Sequence, residues 1–121
     1  MKTLPLAGSE QEDRLNRAFM ALSDPLRRRI VARLAQGDAT VNELAEPFSV
    51  TVQAVSKHLQ VLEAAGLVTR RKEAQRRPCH LNTSAMGPLA AWIDSYRLMA
   101  EERFQRLDEL LESQEKEEKS S

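Results

Sequence analysis

The chain has 121 residues, of which 41% are hydrophobic and 30% charged, so it holds one compact domain with one core and is not disordered throughout. Its longest strictly apolar runs, Ala18–Leu22 and Leu89–Ile93, are five residues each, against the roughly 20 that a membrane span needs. No apolar stretch near the start suits a signal peptide, and the single cysteine, Cys79, excludes an internal disulfide and an all-cysteine zinc cage. The expectation is a cytoplasmic protein. The net charge is zero, yet residues 14–82 hold 12 Lys/Arg against 6 Asp/Glu, while residues 1–13 and 83–121 are acidic. A neutral total thus hides a basic middle that can face phosphate.

Residues 1–11, with Pro5, Gly8 and Ser9, read as a flexible lead. From Asp13, Leu15, Ala18, Phe19 and Leu22 recur at helical spacing, the stripe of a first helix. Asp24-Pro25 opens a second, with a capping carboxylate and a proline at the first helical position. Leu26, Ile30, Val31 and Leu34 form its buried face, Arg27, Arg28, Arg29 and Arg33 crowd the rest, and Gly37 stops it. Most of this arginine run reads as a solvated face, with Arg27 the exception expected at phosphate. Thr40-Val41-Asn42-Glu43 reads as a capping box on a short third helix that Pro47 ends. Thr51 caps a fourth helix, buried through Val55, Leu59 and Leu62 and closed by Gly66.

The period then changes. Residues 67–72 and 77–82 read as two short strands around a turn near Glu73–Arg76. On the second, Cys79 and Leu81 share a face and His80 takes the other. A long helix follows from Ser84. Residues 113–121 contain no apolar side chain and read as a disordered, charged tail. The fold class is therefore mostly α with a small two-stranded β-wing: a winged helix-turn-helix over residues 12–112 with a long C-terminal dimerisation helix.

The fourth helix offers Thr51, Gln53, Ala54, Ser56, Lys57 and His58 on its solvent side. Short polar groups approach base edges, glutamine reads adenine, and small methyls touch thymine. Such helices enter the major groove N-terminal end first. In the hairpin, Arg70, Arg71, Lys72, Arg76 and Arg77 put five cations in eight residues, suited to the phosphate backbone or a narrow minor groove. A charged edge that blocks strand addition is the plainer alternative. Along the final helix Leu89, Trp92, Ile93, Tyr96, Met99, Phe104, Leu107 and Leu111 make an apolar side too large for one small domain to cover. With Leu15 and Phe19 of the first helix, it is the expected homodimer interface. Two copies would then present recognition helices about 34–36 Å apart, matching an inverted repeat in double-stranded DNA. One cysteine and two histidines do not compose a metal site, no glycine-rich phosphate loop is present, and no cofactor or enzyme chemistry is expected.

The run Ala21-Leu22-Ser23-Asp24-Pro25-Leu26-Arg27-Arg28-Arg29-Ile30 resembles the second-helix entrance of ArsR-type winged-helix regulators. Val41-Asn42-Glu43-Leu44-Ala45 does so too, and Ser56-Lys57-His58-Leu59 through Leu62 to Ala65-Gly66-Leu67-Val68 matches the family's core pattern. The resemblance covers about residues 12–112 and implies a homodimeric, DNA-binding transcriptional repressor of its own operon. The cysteine pair of metal-sensing members is replaced by Leu44-Ala45-Glu46-Pro47, and the final helix has no histidine. The chain is therefore similar to a branch that lacks the metal site. Ala74 stands where the family often has glycine at the wing tip. An unidentified small-molecule effector near Trp92 and Tyr96, or a thiol event at Cys79, remains open. Two other readings stand beside this one: a winged module for an acidic protein partner, and a repressor with a non-standard metal or thiol site.

Overall fold

The computed structural model describes residues 9–73 and 75–120. The lead before Ser9 and the wing-tip departure at Ala74 lie outside them. The elements run α1 (Glu10–Ala21), α2 (Pro25–Leu34), α3 (Val41–Ala45), α4 (Val52–Ala64), β1 (Val68–Arg70), β2 (Cys79–Leu81), a 3-10 turn over Thr83–Met86, and α5 (Gly87–Ser120).

Each of the first four helices starts on a side-chain cap. Ser9 accepts from Glu12, Asp24 from Leu26 and Arg27, Thr40 from Glu43 and Thr51 from Ala54. These bonds satisfy amides that have no intrahelical partner. Because Ser9 caps, α1 begins at Glu10, and residues 9–11 of the expected lead belong to the helix and its cap. At the far end of α4, Gly66 has φ +77°. Leu67 N–H bonds Leu62 O at 3.0 Å and Gly66 N–H bonds Glu63 O at 2.9 Å. This double closure needs the left-handed residue and turns the chain directly into β1.

The strands pair antiparallel, Val68 with Leu81, Thr69 with His80 and Arg70 with Cys79. They are three residues each, shorter than the six-residue runs read from sequence. Among the described residues, beyond Arg71 N–H to Pro78 O at 3.0 Å the pairing resumes only at the Glu73–Arg76 bridge. On its other edge β2 exchanges two backbone bonds with Ala39, at 2.7 and 3.2 Å, so the wing is stitched to the residue that precedes α3's cap.

Two compact units result, Met1–Leu89 and Ala90–Ser121. The core of the first holds Ile30, Leu44, Val55, Leu59, Leu62, Leu67 and Cys79, all fully buried, with α4 packed on α1, α2, α3 and β1. Leu89 is buried in this same core and Leu15 and Phe19 pack against it. The expected dimer contacts of these three are therefore used, wholly or in part, inside their own unit. The second unit is one helix that runs on to Ser120, over the segment read as a disordered tail. Residues 113–119 are Ser, Gln, Glu and Lys without glycine or proline, a composition whose helix propensity competes well with its lack of apolar groups.

Candidate nucleic-acid interface

The N-terminal half of α4 is anchored from below and open above. Val55 and Leu59 sink it into the core, while Thr51, Gln53, Lys57 and Gln60 stand exposed. Ala54 and Ser56 are half-buried beside them. Val50 and Val52, not singled out in the sequence reading, are also exposed at this end, 38% and 40%. Apolar methyls there suit contact with thymine.

The wing stands next to this helix. An open groove of about 420 Å³ is lined by Gln60 and Glu63 of α4 and by Arg70, Arg71, Lys72 and Arg77 of the wing. A second, of about 480 Å³, lies between α3 and the wing and is lined by Thr40, Val41, Asn42, Arg70, Gln75, Arg76 and Arg77. The sequence separates these groups by up to 37 positions, and the Ala39–Cys79 bridge brings them together.

The five wing cations are not equivalent. Arg70 Nε donates to Glu63 Oε1 at 2.6 Å, Arg76 Nη2 to Glu43 Oε1 at 2.7 Å, and Arg71 Nη1 lies 3.8 Å from Asp38 Oδ2. Among the described residues, Lys72 and Arg77 have no ion pair. Glu43 thus has two duties. It accepts from the Thr40 hydroxyl at 2.9 Å and the Thr40 amide at 3.2 Å, closing the capping box, and it holds Arg76. The Thr40 hydroxyl, its amide and the Arg76 guanidinium, in that order, keep its carboxyl below the ordinary value. Capping boxes are visible in sequence, but the second duty joins residues 33 apart.

His58 and Arg27, both expected at DNA, are held to each other: Arg27 Nη1 lies 3.2 Å from His58 Nδ1. Arg27 Nε also donates to Ala21 O at 2.6 Å and Nη2 to Met20 O at 3.2 Å. His58 is tucked against the α1–α2 corner with its side chain 25% exposed. Arg28 bonds Leu22 O and Arg33 bonds Gly37 O, so these two serve helix ends, while Arg29 stays exposed. His80 meets Asp38 at 2.9 Å, opposite the face on which Cys79 and Leu81 are buried. Burial pushes the Cys79 thiol up, away from the thiolate that redox chemistry uses. Among the described residues, no three His, Cys, Asp or Glu side chains gather as a metal ion would require, and no helix is long and apolar enough to cross a membrane.

On α5, Trp92, Ile93, Tyr96, Met99, Phe104, Leu107 and Leu111 are 47 to 67% exposed, as are Leu98 and Leu110, which the sequence reading left out. The Trp92 and Tyr96 rings touch in a tilted arrangement, with centroids 4.8 Å apart and planes at 55°.

A core of four packed helices, one of which exposes a polar N-terminal face, and an adjacent cationic hairpin define a winged helix-turn-helix protein of the DNA-binding class. A helix-turn-helix domain model matches residues 22–71. The chain is 42% identical over 81 residues to the HTH-type transcriptional regulator Rv2034 of Mycobacterium tuberculosis, covering 67% of this chain and 76% of that one. It is 33% identical over 79 residues to the transcriptional repressor SdpR of Bacillus subtilis, covering 65% and 88%. Among solved structures it resembles the ArsR family transcriptional regulator RHA00566, with a TM-score of 0.66 and 34% identity over 74% of this chain and 93% of that one. It also resembles the homodimeric winged helix-turn-helix DNA-binding domain of Mb0332 from Mycobacterium bovis, with a TM-score of 0.58 and 27% identity over 84% and 95%. The chain belongs to the ArsR family of winged helix-turn-helix transcriptional regulators. It is a transcriptional regulator with a helix-turn-helix DNA-binding domain, and its relatives are regulators, not enzymes.

Proposed function

We propose that the chain represses transcription by binding, as a homodimer, an inverted repeat in double-stranded DNA, the promoter of its own gene among its sites. The observation that carries this reading is the exposed polar N-terminal face of α4 on a helix whose Gln60 and Glu63 line a groove with the wing cations Arg70, Arg71, Lys72 and Arg77. Gln53, with Thr51, Ala54, Ser56 and the flanking valines, reads base edges in the major groove. Lys57, Lys72 and Arg77 supply the salt-dependent phosphate term. Arg70, Arg71 and Arg76 join them by exchanging a carboxylate for a phosphate. The exposed apolar side of α5 supports a second copy as its cover, in keeping with the homodimeric Mb0332 domain. Occupancy of a promoter then excludes polymerase, in keeping with the repressor SdpR.

Fluorescence anisotropy tests this, using the duplex upstream of the gene, a shuffled duplex and a salt series, with selection from a random duplex library in parallel. The expected result is a preference of about 10³-fold or more for native or selected sequence and a steep salt slope. Weak, equal binding to every duplex overturns the reading and favours an acidic protein partner for the basic face.

A further inference from the structure

The Arg27 guanidinium joins three helices. It holds the C-terminal carbonyls of α1 (Ala21 and Met20), belongs to the first turn of α2, and reaches His58 of α4. Moving it to a phosphate would leave the α1 carbonyls without that partner. Asp24 Oδ2, 3.9 Å from His58 Nδ1, already accepts from Leu26 N–H at 2.8 Å and Arg27 N–H at 3.0 Å. We propose that Arg27 and His58 are positioning residues that fix the orientation of α4 for base reading. The proposal rests on the reading of α4 as the DNA-contacting helix.

The chemistry follows from donor and acceptor capacity. A guanidinium only donates, so His58 Nδ1 must accept, which places the ring proton on Nε2. Asp24 Oδ2, 3.9 Å from the same nitrogen, and the two α1 carbonyls that hold Arg27 complete the corner against which α4 is set.

The test uses the full chain and a duplex recovered by selection from a random library. Three proteins are compared: wild type, His58→Asn, whose amide oxygen replaces Nδ1, and His58→Leu, which has no acceptor. Affinity, salt slope and melting temperature are measured at about pH 8. His58→Asn is expected to bind like wild type, and His58→Leu about 10-fold more weakly, the scale of a lost base contact, with an unchanged salt slope. Imidazole ¹⁵N shifts should show the Nε2–H tautomer. If His58→Leu fails to fold, the affinity of His58→Asn and the tautomer decide.

A salt slope reduced by about one in His58→Leu would mean a direct phosphate contact and overturn the clamp. So would an Nδ1–H tautomer, or a His58→Asn protein as weak as His58→Leu. Failure to recover any duplex would overturn the clamp together with the DNA reading beneath it.

Discussion

Glu43 and Asp24 show how far single residues can be read. Each announces a helix start in sequence, through Thr40 three residues before one and Pro25 just after the other. The partners that give them further roles, Arg76 and His58, are 33 and 34 positions away and leave no local trace. Glu43→Gln keeps the capping geometry but frees Arg76. It should strengthen binding to both selected and shuffled duplexes, and this gain should vanish in an Arg76→Ala background, as an anisotropy cycle over the four proteins would reveal. Asp24 is held below its ordinary value of 3.8, first by the Arg27 amide and then, against the opposing effect of burial, by His58 and the Leu26 amide. A depressed carboxyl stabilises the fold above its unfolded value and loses that contribution as pH falls through the folded one. Asp24→Ala should therefore unfold at lower urea than wild type at pH 7. The gap should narrow below pH 3.8, read from urea midpoints against pH. Cys79 was legible as a core residue because it alternates with His80 and shares the face of Leu81.

At the level of elements, helix starts and ends were written locally, as caps before and Gly66 after, and the four short helices follow those signals. The wing was legible in kind but not in extent. Its charge run predicts five cations for DNA, whereas three of them face carboxylates supplied by α3, α4 and the α2–α3 turn. Arg77→Ala should therefore weaken binding uniformly and lower the salt slope by about one phosphate's worth, and Lys72→Ala should do the same. Arg76→Ala should lower affinity less, because Glu43 already competes for that side chain. Gln53→Ala belongs to the other category. It should cost about 1–3 kcal/mol on the selected duplex and relax discrimination at one base pair, with the salt slope kept. Anisotropy against single-base variants of the duplex separates the two.

The whole molecule divides its apolar surface in two. One share lies in the first unit, where Leu59→Ala should cost about 2–5 kcal/mol of stability by urea unfolding. The other lies exposed along α5, where Phe104, Leu107, Leu110 and Leu111 contribute nothing to that core. Leu107→Asp with Leu111→Asp should thus leave the first unit folded while sedimentation equilibrium shows monomers and affinity for an inverted repeat falls toward that for a half-site. The stripe was visible in sequence as mixed three- and four-residue steps. What escaped was its division of labour, since Leu89 carries the same periodicity as Leu107 but is buried in the winged core. The helical course of residues 113–120 escaped for a related reason: composition reports whether a segment can bury surface, not whether a helix already nucleated upstream will propagate through it.

The wing is fastened at its base. Ala39 grips Cys79, Arg71 grips Pro78, and among the described residues only the Glu73–Arg76 bridge crosses the hairpin beyond them. Residues added or removed in that outer stretch leave the buried packing untouched, and each doubling of a loop adds only about 0.6 kcal/mol of closure entropy. Wing length is therefore the dimension along which descendants of this chain can drift most freely. A lineage can retune how far its basic hairpin extends along a new promoter without re-solving how the protein folds.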